Sequence, residues 1–392
     1  MLLRREDMNR ALLLVALAAL AGCSSNRPAA PAASQPAAPN EQQSDAEAPE
    51  AEAKNPLAEK ADELFSGAAK EGTFAGSVVI VDGGKTILVK GYGDADRKNK
   101  KPNETATIFR IGSLTKQFTA TAILALADDG KLSVTDPVSK FFPEYPKENL
   151  VKDGVEVTLH HLLSHTSGLP DGRKTEYFGA NVWKKPIDVD ALIGEAKLLP
   201  LVRKPGAKFE YLNYGYLLLG VVVERVSGQG YESFVRSRFF EPLGMKDTGT
   251  ILPADKKERE ATGYYKAKSG SFQTIKSDPT FRDRDLSFAF GSGQIYATAG
   301  DLALWERALE DGKVKGQDLL FKANLDGYGY GWAIENAGGV EHFWHNGAIS
   351  PLGFSSFFVR VPSKQRMIAY LSNLDIDITA HLEAKVAELA IE

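Results

Sequence analysis

Phe109-Arg110-Ile111-Gly112-Ser113-Leu114-Thr115-Lys116 sets a serine at the foot of a helical pattern in which Leu114, Phe118, Ala122 and Ala125 recur on one side. Lys116 follows Ser113 by three residues, so the two side chains share a helix face. A serine hydroxyl is a poor nucleophile at its own pKa, and a neighbouring amine that has lost its proton can activate it. The positive end of the helix helps to keep that amine neutral and offers backbone N–H groups to a developing oxyanion. This is the only Ser-x-x-Lys in the chain. On its own it equally describes a capping serine followed by a solvated lysine.

On the N-terminal side of this stretch, Leu57, Ala61, Leu64, Phe65 and Ala68 form the apolar stripe of a helix. Ser77–Val81 and Thr86–Lys90, rich in β-branched residues, flank Gly83-Gly84 and read as a hairpin. On the C-terminal side the Ser113 helix stops at Gly130, and Tyr214–Val226 is an apolar helix closed by Gly228. Strand character returns in Val340–His345, Phe354–Val361 and Arg366–Leu371, and a helix from about Ile378 to Ala390 ends the chain. Strands at both ends with helices between them predict an α+β fold. An antiparallel sheet is built from N- and C-terminal segments and flanked by helices, with a mainly helical subdomain inserted.

Two further constellations accompany Ser113 and Lys116. Tyr211-Leu212-Asn213 lies just before the second helix. A tyrosine beside a neutral lysine can act as general base and then as proton donor to a leaving group. An asparagine two residues on can bond a substrate carbonyl or orient the lysine. His345-Asn346-Gly347-Ala348 ends a strand with polar residues and a glycine. A small residue at a strand edge admits a substrate backbone, and the next N–H can complete an oxyanion hole.

With these three motifs in order, the chain resembles the serine β-lactamase and penicillin-binding-protein superfamily, nearest the class C β-lactamase-like serine hydrolases, from about Thr73 to Leu374. Other stretches that look like that family are Leu162-Leu163-Ser164-His165-Thr166-Ser167-Gly168-Leu169, Glu241-Pro242-Leu243-Gly244-Met245 and Tyr330-Gly331-Trp332. The resemblance implies Ser113 as the acylated nucleophile, Lys116 and Tyr211 as the proton-transfer pair, and Asn213, His345, Asn346 and Gly347 as the substrate-binding set. It also implies an oxyanion hole from the backbone N–H groups of Ser113 and Ala348, no cofactor, and Tyr211 as the base that activates the deacylating water.

One departure shapes the expected activity. The family's third motif is usually Lys-Thr-Gly, whereas this chain has histidine at its first position. Lysine is a fixed cation that can grip a substrate carboxylate, and histidine is largely neutral near pH 7. The expectation moves toward ester or peptide hydrolysis and away from true β-lactamase activity. The alternative of a different class is a non-catalytic or slow-turnover module that binds penicillin or peptidoglycan. Lys174 to Lys197, poorly patterned, is expected to wall the cleft. His161 and His165 are four apart and could share a helix face as zinc ligands do. They lack the glutamate of that pattern, and no metal is expected. His342 is expected at the surface and His381 in the final helix without a partner.

The N-terminus reads differently. Arg4, Arg5 and Arg10 precede an apolar run from Ala11 to Ala21, the size of a signal-peptide core. Leu20-Ala21-Gly22-Cys23 resembles the lipobox of bacterial lipoproteins, in which the cysteine is lipidated. Ser24 then favours the outer membrane where the cell has one, and Met8 is an alternative start. Residues 23–55, rich in Pro, Ala, Glu, Gln and Ser and without an aromatic residue, read as a disordered tether. The expected organisation is a signal peptide at 1–22, the tether at 23–55 and one hydrolase domain at 56–392, held in the cell envelope by a lipid on Cys23. Cys23 is the sole cysteine, which excludes an internal disulfide. The net charge of -4 argues against a nucleic-acid partner.

Overall fold

Gly83 and Gly84 both take positive φ, 55° and 73°, the pair of left-handed conformations that a two-residue hairpin turn requires. They join β1 (Gly76–Asp82) to β2 (Lys85–Tyr92). The computed structural model describes residues 55–181, 187–274, 286–350 and 352–392. The lipobox at Cys23 and nearly all of the tether lie outside that description.

The remaining strands of the main sheet come from the far end of the chain. They are β3 (Ala333–Ala337), β4 (Val340–Ile349), β5 (Phe354–Val361) and β6 (Arg366–Ser372). Their order is β3-β4-β5-β6-β1-β2, antiparallel throughout. Val79 lies opposite Ala369 where the two ends of the chain meet. Every residue of β5 is buried, so both faces of the sheet are covered at its centre.

The period-two alternation of the strands decides what each face meets. Phe65, from α1 (Pro56–Lys70), packs on Phe74, Tyr92 and Tyr370 on one face. On the other face α2 (Thr115–Asp128), α3 (Leu159–Leu163) and α4 (Asn213–Ser227) share the core, and α5 (Ala299–Glu310) packs on β1 and β6. Val79, Phe358, Ala369 and Leu371 share one core cluster with Phe118, Leu218 and Trp305. α2 is buried along almost its whole length, unlike an amphipathic surface helix. Gly228 closes α4 at φ 72°. The predicted α+β architecture with a helical insertion is the one observed.

Three expectations need correction. His342 is fully buried, not at the surface. β3 was not anticipated; it pairs with β4, sets Glu335 opposite His342, and covers that side chain, with Glu335 Oε2 3.8 Å from its Nε2. The C-terminal helix is two pieces, Ile376–Thr379 and then α6 (His381–Ile391), with Ala380 at the join. His381 does have a partner, the Ile378 carbonyl 3.0 Å from its Nδ1. The Lys174–Lys197 region contains helices at Glu176–Asn181 and Val189–Ala196, the second capped by Asp188; residues 182–186 lie outside the description.

Candidate active site

A tight turn at Gly112–Leu114 leads into α2 and presents Ser113. The segment before it is fixed from two directions. Ile111 N–H donates to Ile295 O and Ile295 N–H donates to Thr115 Oγ1. Ser356 of β5 donates to Ile111 O at 2.8 Å. Gly347 lies opposite Ser356 on β4, and a Cβ there would overlap Ile111 O and the Ser356 hydroxyl. Only glycine lets the two backbones approach this closely. The contact brings the turn carrying Ser113 against Gly347 and Ala348, the pairing an oxyanion hole needs.

Lys116 is fully buried. Its Nζ lies 3.0 Å from Ser113 Oγ, 2.7 Å from Asn213 Oδ1 and 2.8 Å from Ser292 O. Burial, and next the charge of Arg173, hold its pKa well below that of an ordinary lysine. Two acceptors thus orient the amine, and its lone pair is available to the serine. Nζ also sits 4.8 Å from the centre of the Tyr211 ring and 5.5 Å from that of Tyr216. The Tyr211 hydroxyl is buried without a well-formed hydrogen bond. Burial raises its pKa, against a smaller opposite effect of nearby Ser113, so it rests as the neutral phenol.

His345 is fully buried and faces the same side, its ring 6.0 Å from Tyr211. Its Nδ1 is 2.6 Å from the Asn346 carbonyl and its Nε2 is 3.0 Å from the Tyr328 hydroxyl. A carbonyl only accepts, so the proton belongs on Nδ1 and Tyr328 donates to Nε2. Burial, and next Lys116, lower its pKa to about 3. At neutral pH this position therefore carries no charge.

The beta-lactamase family matches residues 61–391. The chain belongs to that family. Among curated relatives, PbpX of Bacillus subtilis strain 168, assigned by its name to the penicillin-binding class, is 33% identical over 309 residues, which span 78% of this chain and 72% of PbpX. Protein Flp of Staphylococcus aureus strain N315 is 31% identical over 327 residues, 79% of this chain and 62% of Flp. The chain therefore spans under two thirds of Flp. Among solved structures, the D-amino acid amidase of Ochrobactrum anthropi SV3 with D-phenylalanine superposes with a TM-score of 0.71 at 25% identity, over 86% of this chain and 98% of the amidase.

Ser113, Lys116, Tyr211, Asn213 and His345 are brought together, and the backbones of Gly347 and Ala348 close on the turn before Ser113. Asn346 is not part of this group. Strand alternation turns it to the opposite face, where its Nδ2 donates to both carboxylate oxygens of Glu383 on α6 at 3.1 Å. Its predicted substrate contact is replaced by a structural one. The two histidines of the zinc pattern do not share a helix face: α3 ends at Leu163, and His165 lies beyond it at φ 57°.

Four participants were not anticipated in these roles. Ser292 contributes a carbonyl, and Gly291 and Gly293 around it are the one sequence sign of a close backbone approach. Tyr328 and Glu383 carry no motif. Arg173 falls just outside the stretch expected as a wall, anchored through Nε and Nη2 to Asp171.

Proposed function

We propose that this chain is a cofactor-free serine hydrolase that works through a Ser113 acyl-enzyme on amides or esters whose reacting end carries no carboxylate. The observation that carries the proposal is the buried Lys116 amine 3.0 Å from Ser113 Oγ, its pKa held well below that of an ordinary lysine by burial. In acylation Ser113 Oγ attacks the substrate carbonyl as its proton passes to Lys116. The carbonyl oxygen becomes an oxyanion facing the N–H groups of Ser113 and Ala348. The scissile C–N or C–O bond then breaks, and the leaving atom takes the Tyr211 phenol proton, which the Lys116 ammonium replaces. Water attacks the ester carbonyl of the acyl-enzyme, gives a proton back through Lys116, and Ser113 leaves as its hydroxyl. The base is thus assigned to Lys116 in place of Tyr211, because the same burial that keeps the lysine neutral keeps the tyrosine protonated.

The substrate preference rests on His345. A neutral imidazole donating to its own strand and accepting from Tyr328 offers no fixed charge to a carboxylate. This disfavours penicillins and free D-Ala-D-Ala ends relative to D-amino acid amides and short-chain esters. The slow-turnover alternative draws on one observation: no carboxylate is hydrogen-bonded to Ser113 or Lys116 among the described residues, so deacylation relies on the same lysine as acylation.

The test is mass spectrometry of the intact domain after incubation with p-nitrophenyl butyrate, D-phenylalanine amide and nitrocefin, with product followed alongside. Turnover of the ester or amide, lost in Ser113→Ala, supports the proposal. Turnover of nitrocefin above the other two refutes the preference, and a stable adduct without turnover refutes the hydrolase in favour of a binding role. We further propose that Cys23 is lipidated and holds the domain at the cell envelope. Cys23→Ala is expected to move the protein from the membrane fraction to the soluble fraction.

A further inference from the structure

His165 is a non-glycine residue in the left-handed region, at φ 57°, a conformation that most side chains avoid. The consequence of that conformation lies on the far side of the loop. Glu210 N–H donates to the His165 carbonyl at 2.8 Å, and Leu212 N–H donates to His165 Nδ1 at 3.1 Å. One residue, through its backbone and through its ring, therefore binds the N–H groups of the two residues that flank Tyr211. The ring also lies 4.4 Å from the Tyr211 ring and 4.9 Å from that of Tyr328, centre to centre. Tyr328 is the donor to His345. Two aromatic rings beside the third motif, Tyr211 and Tyr328, are thus packed on this histidine.

The hydrogen-bond inventory fixes its state. Nδ1 accepts from an amide, so the proton is on Nε2. Nε2 is buried and has no partner among the described residues. A buried histidine with a purely architectural role would be expected to satisfy both nitrogens. This one leaves a donor unpaired and keeps Nδ1 on the Leu212 amide.

We infer that His165 is the positioning residue of the site: a two-point clamp that sets the backbone of Tyr211, and with it the direction of the phenol and the start of α4 at Asn213. The inference rests on the proposed role of Tyr211 in proton transfer. The clamp needs a left-handed backbone and an acceptor on a short side chain. Asparagine meets both conditions, since it tolerates that conformation and carries a carbonyl oxygen; glycine meets only the first.

His165→Gly, His165→Asn and Tyr211→Phe are compared with the wild type in ester hydrolysis, each with its Tm. His165→Gly is expected to lower kcat by about 10²-fold, the scale of a misplaced catalytic group, with KM unchanged, and His165→Asn to recover most of the loss. Glycine without effect on kcat overturns the clamp, as does asparagine no better than glycine. Tyr211→Phe with wild-type kcat instead refutes the proton-transfer assignment on which the inference rests. A second measurement requires no variant. Imidazole ¹⁵N shifts of the wild-type protein are expected to show His165 as the Nε2–H tautomer, and a protonated Nδ1 overturns the clamp whatever the variants do.

Discussion

Gly112→Ala tests whether the contact between the Ser113 turn and β4 builds the oxyanion hole. Gly112 has φ 53°. A Cβ there would stand 2.7 Å from Ala348 N, 3.1 Å from Ala348 O and 3.1 Å from Gly347 C. Ordinary contact begins near 3.4 Å, so the turn and the strand must part by about 0.7 Å. No side-chain rotation relieves this, because all three atoms are backbone in a stretch of β4 held by its pairing with β5. The left-handed conformation itself costs alanine about 1–2 kcal/mol, which lowers Tm by a few degrees in a domain of this size. Displacing one oxyanion donor costs about 10²–10³ in kcat. Gly130→Ala is the control: it has φ 71° and nothing within 4 Å of the added carbon, so it carries the conformational penalty without the collision. The assay is steady-state ester hydrolysis with thermal unfolding of both variants. Gly112→Ala is expected to be folded with kcat reduced at least about 10²-fold, and Gly130→Ala to be comparably destabilised with full kcat. A folded Gly112→Ala with wild-type kcat would refute the reasoning.

Lys116→Ala should reduce the acylation rate by about 10²–10⁴, measured as the single-turnover rate of adduct formation; an unchanged rate returns the base to Tyr211. Arg173→Met removes a cation that helps to depress the Lys116 pKa. That pKa then rises, less of the amine is neutral at a given pH, and the acidic limb of kcat/KM should move to higher pH; a limb that stays in place excludes electrostatic coupling. Burial pushes the Glu383 carboxyl up to about 7, above its value in the unfolded chain. The folded state therefore holds a proton that the unfolded state has lost between about pH 4.5 and 7, and stability falls across that window by up to about 3 kcal/mol. Glu383→Gln should flatten the decline in urea-unfolding free energy between pH 5 and 7, and an unchanged slope would show that the carboxyl does not titrate there.

The sheet was legible where its strands are dense in apolar residues, and the hairpin of β1 and β2 carries the paired glycines that its turn requires. β3 escaped notice because Ala-Ile-Glu-Asn-Ala has neither the apolar density nor the alternation of a strand; pairing to β4 decides its structure. The candidate site was legible where chemistry and spacing coincide on one segment, as in Ser113 with Lys116 and Tyr211 with Asn213. It was not legible where a partner acts through its backbone, as Ser292 does, since a carbonyl leaves no mark on residue type. Asn346 shows the converse error: adjacency to His345 suggested a shared role, yet strand alternation sends the two side chains to opposite faces of the sheet. His345 was read correctly as a weaker cation than lysine, but not the extent of it, because burial against Tyr328 depends on residues distant in sequence.

The pairing of β1 with β6 also imposes an order in time. Ala348 follows Ser113 by 235 residues, so at about 5–20 residues per second the proposed nucleophile emerges from the ribosome on the order of 10–50 s before the strand of its proposed oxyanion hole. Until β6 is made, β1 also has one unpaired edge, and an apolar strand in that state invites the wrong partner. The last third of the chain thus acts as a latch on the first, and a polypeptide cut short before β4 would carry the Ser-x-x-Lys pair without a site in which to use it.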